Sequence, residues 1–474
     1  MSILEEINHL RPLQVGKVAK LYNDFICSKS QIEGDHGFEP LKLRDDLFPF
    51  QKAMVEWSLK KGRSAIFADC GLGKTLMQLS WAENVAMHTG ERVLVLTPLA
   101  VSYQTVLEAE KFGIDAAIGR EGHPAKAQIT ITNYEQLYKF NPSDFGGCVC
   151  DESSILKNYD GVLKCSITEF MRLMKYRLLC TATAAPNDFT ELGTSSEALG
   201  YLGHTDMLSK FFRVDNNTAV RQSNTARFGK FRFRGHSEMD FWRWVCSWAK
   251  AIRTPSDAGF SDDGFDLPDL ITNQHLVKAD NRRDGYLFDL PVSGLQEERE
   301  ERSRTLQERV DRAAAIINVR SDVSVAWCHL NKESECLRKS ITDAVEIKGS
   351  DSDTRKEQVF RDFSEGNIKC LVTKPSIAGF GMNWQHSNHM TFFPSHSFEQ
   401  YYQAVRRCWR FGQKHPVTVD IIASEGELNV LNNLKRKAAL AEDMFSRLIE
   451  LMNQGRAVEI DRNFNHQLDI PTWL

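Results

Sequence analysis

The stretch FADCGLGKTLMQ, residues 67–78, sets Gly71 and Gly73 directly before Lys74 and Thr75 at the head of an apolar-periodic run. A glycine-bearing turn between a strand and a helix gathers backbone N–H groups and the positive helix end into one small space, which suits a polyphosphate. ATP or GTP is the first ligand such a loop implies. The glycines let the backbone come close, Lys74 reaches the outer phosphates, and the Thr75 hydroxyl is placed to hold magnesium. Ala68 stands where the full G-x-x-x-x-G-K-T pattern has its first glycine.

Three further groups agree with that loop. In GGCVCDESSILKN, Asp151 and Glu152 close an apolar run. Two adjacent acids leaving a buried strand are costly without a cation to meet them, so Asp151 is assigned to the magnesium shell and Glu152 to the attacking water. In LFPFQKAMVEWSLKKG, Gln51 lies on an amphipathic helix shortly before the loop, where its amide could donate to and accept from an adenine edge. In QAVRRCWRFGQKHP, Arg407 and Arg410 are three residues apart on one helix face with no acid nearby in sequence. Arginines from a second domain can neutralise charge developing on a transferred phosphoryl group.

Such residues need open parallel sheets, whose chemistry gathers at the carboxyl ends of the strands. SAIFA, RVLVLTP, AQITITN, CVCDE and YRLLCTAT in 41–200, then SVAWCH, AVEIKG, KCLVTKP, HMTFFP and VTVDII in 311–450, alternate with amphipathic helical patterns. The expected organisation is an N-terminal segment 1–40, a first α/β domain 41–200, a central segment 201–310, a second α/β domain 311–450 and a tail 451–474. The run LQEEREERSRTLQERVDR pairs Glu298 with Arg302, Glu300 with Arg304 and Glu308 with Arg312 at i,i+4 spacing, as a solvated connecting helix would.

At 474 residues the chain is long enough for two or three domains. A net charge of -4 and pI near 6.4 exclude an overall basic coat but not a local basic groove. No apolar run is long enough to span a bilayer, and MSILEEINHL lacks a signal-peptide pattern, so a cytoplasmic protein without membrane partners is expected. The eleven scattered cysteines read as reduced thiols, and no zinc-knuckle spacing occurs.

Taken in order, these strings resemble a superfamily-two helicase, and most closely its Swi/Snf-type DNA translocase branch. DESSILKN is similar to that branch's acidic second motif, LLCTATAAPNDFTELGTSSEALGYLG to its third, and GSDSDTRKEQVFRDF to its Gly-Ser, arginine and Phe pattern. AGFGMNW resembles its fifth motif and QAVRRCWRFGQKHPVTV its sixth. Compact members with this TATAAPND style look like those carried by bacteriophages. The resemblance implies two tandem RecA-like parallel-sheet domains around a central, mostly helical and β-ribbon insertion, with ATP and Mg2+ in the cleft between them. It implies Gln51 at adenine; Gly71, Gly73, Lys74 and Thr75 at phosphate; and Asp151 and Glu152 at magnesium and water. Gln403, Arg407 and Arg410 would complete the site from the second domain, with Gly379 and Gly381 lining the cleft. Thr97, Pro98, Asn133, Tyr134, Lys374 and Asn383 would face the nucleic acid, and Thr181 and Thr183 would couple hydrolysis to strand grip. The chain departs from the family at Ser153 and Ser154 (Ala and His), Arg406 (small or acidic), Trp409 (His) and Ala378 (Gly). These changes spare the hydrolytic groups; the replaced His and Gly belong to contacts between the domains, so the changes bear on the coupling between strand binding and hydrolysis.

The central segment has its own signal. Between 221 and 253 there are eight Lys or Arg (Arg221, Arg227, Lys230, Arg232, Arg234, Arg243, Lys250, Arg253) against Glu238 and Asp240. Arginines alternating with Phe228, Phe231 and Phe233 would put charge on one ribbon face and rings on the other. Arg227, Lys230, Arg232 and Arg234 are therefore expected at phosphates, while FWRWVCSWA reads as a helix burying Trp244 and Trp248. The expectation is a monomeric ATPase moving along duplex or branched DNA, with replication or recombination proteins of phage or host as partners. The alternatives are an RNA helicase and an ATP-gated clamp with little turnover.

Overall fold

The computed structural model describes residues 36–214, 231–278, 295–378 and 382–461. All ten expected strands form, at β1 (Arg63–Ala68), β2 (Arg92–Thr97), β4 (Ile129–Asn133), β5 (Phe145–Asp151) and β6 (Tyr176–Thr181), then β11 (Ser324–Trp327), β12 (Ala344–Glu346), β13 (Cys370–Thr373), β14 (His389–Phe392) and β15 (Val417–Ser424). With β3 (Ala116–Ile118), β9 (Ala249–Ile252) and β10 (Leu270–Val277) they build two parallel sheets, ordered β3-β4-β2-β5-β6-β1-β9 and β10-β15-β14-β11-β13-β12. These are two RecA-like α/β lobes.

Burial on both faces explains the continuous apolar strands. Ala65 and Phe67 of β1 point into one core of the first lobe, while Ile66 and Ala68 point into the other. Val325 and Trp327 against Ala326 and Cys328 divide the second lobe in the same way. Turns at the carboxyl ends of β1, β5 and β6 therefore converge on one edge of the first sheet, facing the second lobe.

The stretch 201–310 is woven into both lobes. Its β9 pairs in parallel with β1, and its β10 pairs along its whole length with β15. A two-stranded antiparallel ribbon, β7 (Phe212–Val214) with β8 (Phe231–Phe233), sets Arg213 opposite Arg232 and Phe212 opposite Phe233. Arg213 and Arg232 are exposed, and the two rings stack at 4.6 Å over the core. In helix Ser237–Trp248, Trp242 and Trp248 are buried while Trp244 is half-buried.

The solvated connecting helix is corrected by the structure. Helices Leu295–Arg304 and Leu306–Asn318 pack on the second lobe, where Arg302 pairs with Glu427 at 3.0 Å, Arg309 with Glu333 at 2.9 Å, and Arg312 reaches His275. Arg309, fully buried, takes the distant Glu333 because a buried guanidinium must find a carboxylate, while Arg304 pairs with Glu301 within its own helix at 2.9 Å. The helix Leu428–Asp461 leaves the second lobe and returns to the first, placing Met444, Phe445, Leu448 and Ile449 in its core. Among the described residues no helix is long and apolar enough to cross a membrane, all ten cysteines are free, and no metal-ligand cluster of three occurs.

Candidate active site

The loop after β1 turns through two left-handed glycines. Gly71 has φ 93° and Gly73 φ 73°, and a Cβ on either would meet Phe411 N at 2.8 Å or Gln51 Nε2 at 2.3 Å. Both the backbone sign and the space therefore require glycine. Lys74 opens helix Lys74–Thr89, and its Nζ donates to the Ala68 and Asp69 carbonyls at 2.9 and 3.2 Å, folded back across the loop.

A cavity of about 400 Å³ opens in front of this loop. Gly71, Gly73, Lys74, Thr75, Asp151 and Glu152 line it from the first lobe, and Asn383, Arg407 and Arg410 from the second. The structure thus gathers nine of the sequence-selected residues around one space. Arg407 and Arg410 each donate to the Met382 carbonyl, at 3.2 and 3.1 Å. Burial and the neighbouring Arg407 pull Arg410 down to about 10.

At the end of β5, Asp151 Oδ1 accepts from Gln78 Nε2 at 2.6 Å, and Glu152 Oε2 accepts from Thr181 Oγ1 at 3.2 Å. Burial raises both carboxyls. For Glu152 it outweighs the attraction of Lys74 and Arg407 and, with Asp151 repelling, lifts the group to about 7. The buried Asp151 carboxylate and the Thr75 hydroxyl on the same cavity form a hard-oxygen pair that fits magnesium, with the half-buried Glu152 beside them.

Several expected residues lie elsewhere. Gln51 is buried behind the loop, its Nε2 on the Leu72 carbonyl and its Oε1 on Phe48 N, both at 2.9 Å. It braces the loop and is not among the cavity's lining residues. Tyr134 and Thr97, expected to face nucleic acid, are turned inward. The Tyr134 hydroxyl donates to the Asp151 carbonyl, and Thr97 Oγ1 bonds Ser102 Oγ at 2.7 Å. An aromatic hydroxyl or a strand-end threonine finds a buried partner more favourable than solvent. Asn383 is on the cavity rather than on a strand-facing surface.

Pro98 starts helix Leu99–Lys111, Asn133 caps the turn Tyr134–Lys139, and Lys374 Nζ reaches Asn331 Oδ1 at 2.5 Å. Gln403 is buried with Nε2 unpartnered among the described residues. Thr181 Oγ1 also accepts from Thr183 N at 3.0 Å. Gly379, Gly381, Arg227 and Lys230 lie outside the described residues. Of the basic cluster, Arg234 bonds the Phe212 carbonyl, Lys250 lies over the Trp57 ring, and Arg253 pairs with Glu442.

The sequence reading passed over Gln78, Glu108, Asp69 and Glu399. Glu108 lines the cavity beside Thr75, which hydrogen-bonds it. Glu399 takes Ser154 Oγ at 2.5 Å and Lys157 from across the cleft. None carried a local signal, since each owes its place to tertiary packing.

Residues 301–412 match the model of the helicase conserved C-terminal domain. The second lobe is thus similar to a helicase C-terminal domain. Among curated relatives, the bifunctional helicase and thymine dioxygenase JBP2 of Leishmania braziliensis is 34% identical over 102 residues, 21% of this chain and 9% of that protein. The DNA annealing helicase and endonuclease ZRANB3 of Bos taurus is 26% identical over 193 residues, 36% of this chain and 18% of that protein. The chain thus spans less than a fifth of the length of either relative. Among solved structures, Saccharomyces cerevisiae Dbp5 bound to RNA and ADP BeF3 aligns over 85% of this chain and 98% of that one. Its TM-score is 0.50 at 11% identity, and it supports the two-lobe fold. The Sulfolobus solfataricus SWI2/SNF2 ATPase core in complex with dsDNA covers 88% and 96% at 17% identity with a TM-score of 0.40.

Proposed function

We propose that the chain is a DNA-stimulated ATPase that couples ATP hydrolysis to movement along duplex or branched DNA. The observation that carries the reading is the single cavity in which Lys74 and Glu152 of one helicase lobe face Arg407 and Arg410 of the other. A triphosphate there touches both lobes at once. Its hydrolysis changes what holds them together.

Glu152 takes the proton from the water that attacks the γ-phosphorus. Its Oε2 is held by Thr181, leaving Oε1 to receive the proton. Lys74, freed from the loop carbonyls, and the two guanidiniums balance charge on the phosphoryl oxygens as the bond to ADP breaks. Magnesium, held by Thr75 and Asp151, would withdraw charge from the phosphate oxygens. Thr181 joins Glu152 to the backbone of Thr183, so the state of the base reaches the turn after β6.

Backbone contacts carry no base information, so the track is read for its phosphates. The DNA preference rests on the Swi/Snf-type resemblance and on a relative named as a DNA annealing helicase. The bacteriophage-like motif style points to work in a bacterial cytoplasm. The test is ATP turnover with single-stranded, duplex, forked and four-way DNA and with RNA. Duplex or branched DNA should stimulate most, and Glu152→Gln should abolish turnover. Equal rates with and without every nucleic acid would overturn the reading.

A further inference from the structure

Helix Phe398–Val405 and the turn after it present two rows to the first lobe. Gln403, Arg407 and Arg410 belong to the row expected for hydrolysis. Glu399, Tyr402 and Arg406 form a second row at helical spacing, and all three bond residues of the first lobe. Glu399 takes Ser154 and Lys157, while Tyr402 and Arg406 meet Asp69.

Asp69 is the first residue after β1, at the base of the phosphate loop. Its Oδ1 accepts from Cys70 N at 2.6 Å and from the Tyr402 hydroxyl, and its Oδ2 from the Arg406 guanidinium. The carboxylate therefore holds the first peptide of the loop while being held by the opposite lobe. Arg406 and Asp69 are 5% and 6% exposed. The guanidinium also lies 4.3 Å from the Trp409 ring and 5.3 Å from the Tyr402 ring, enclosed between them. Arg406, Tyr402 and Asp69 line a different cavity, of about 460 Å³, beside Ala182–Pro186. Arg406 thus does not reach the space that Arg407 and Arg410 enter.

A buried ion pair adds little net stability, but separating its partners leaves two uncompensated charges. Such a pair specifies one arrangement and penalises others. Here the arrangement specified is closure of the lobes, and the group that senses it is the loop itself.

We propose that Arg406 is a positioning residue that, with Tyr402, fixes the phosphate loop through Asp69 only while the lobes are closed, so that opening the cleft loosens the nucleotide's cradle. The inference rests on the ATPase reading given above.

The test compares wild type, Arg406→Gln, Tyr402→Phe, Asp69→Asn and the Arg406→Gln/Asp69→Asn double variant in the full chain. Arg406→Gln should raise the KM for ATP about tenfold with kcat at saturating ATP within about threefold, since the effect is on ground-state binding. Tyr402→Phe should move KM the same way by less, and Arg406→Lys should recover most of the loss. In the Asp69→Asn background, Arg406→Gln should add nothing. Additive effects, or an unchanged KM in Arg406→Gln, overturn the inference while leaving the ATPase reading standing. A second measurement needs no turnover: small-angle scattering of the nucleotide-free protein. Arg406→Glu, setting like charges face to face, should increase the radius of gyration. The same radius as wild type overturns the inference even if the wild type hydrolyses no ATP, an outcome that by itself defeats only the ATPase reading.

Discussion

Glu152 sits at φ 52°, a left-handed backbone that costs a non-glycine residue on the order of 1–3 kcal/mol. The neighbouring strand holds it there, turning its carboxyl toward Thr181 and the cavity while Asp151 is tied to Gln78. Its carboxyl is lifted from 4.5 to about 7 by burial. Below that value it is protonated and cannot take a proton from water. Stimulated kcat/KM for ATP should therefore fall about tenfold per pH unit below pH 7 and level off above it, as a pH–rate profile at ATP well below KM checks. Stability should show the opposite slope. A carboxyl with a raised folded pKa binds more protons folded than unfolded, so its contribution is lost as pH rises from 4.5 through about 7. The stability of wild type relative to Glu152→Gln should decline across that window, read by denaturant unfolding at several pH values. Gln78→Leu should cost about 1–3 kcal/mol by leaving Asp151 without its buried donor. The same variant should raise the magnesium concentration needed for half-maximal turnover.

The elements explain which parts of the site were legible from sequence. The loop 71–75 and the pair Asp151 and Glu152 belong to contiguous strand-to-turn units, so their chemistry and their place at a sheet edge follow from local pattern alone. Contacts that close over long chain separations left no such pattern: Gln78 with Asp151 is 73 residues apart, Ser154 with Glu399 245, and Asp69 with Arg406 337. Strand β10 was missed for a different reason. It is an edge strand exposed over most of its length, so LITNQHLV lacks the apolar run of its buried neighbours. The alternation of arginine and phenylalanine was read correctly within β8, where Arg232 faces out and Phe231 and Phe233 face the core. The basic total across 221–253 was a weaker guide, because Arg234, Lys250 and Arg253 have partners inside the protein. Phosphate contact by this ribbon is tested with the exposed cross-strand pair Arg213 and Arg232. Changing both to Ala should weaken DNA stimulation and lower the salt slope of DNA binding by up to about 2, with basal turnover intact. An unchanged slope would remove the ribbon from the interface.

At the scale of the whole molecule, the lobes are joined by more than the cleft. Helix Leu428–Asp461 begins beside Glu427, which is tied to Arg302 in the second lobe, and ends its described packing inside the first lobe's core. Polar ties run along it: Lys437 to Asn187 at 2.7 Å, Arg253 to Glu442, and Arg447 to Glu238 at 2.6 Å. A lobe that borrows Met444, Phe445, Leu448 and Ile449 for its core cannot unfold independently of the helix that supplies them. Both lobes should therefore unfold in one calorimetric transition, with calorimetric and van't Hoff enthalpies equal. Leu448→Ala should lower stability by about 2–5 kcal/mol, and Leu448→Asp, which puts a charge into that core, should split the transition in two. Two transitions in the wild type would mean that the helix is only laid on the first lobe. The same bond limits movement, because a strut fixed at both ends lets the lobes pivot about it but not separate. Each cycle of ATP should then swing the lobes through a short arc with the helix as hinge, so Leu448→Asp should lose DNA-stimulated turnover more than basal turnover.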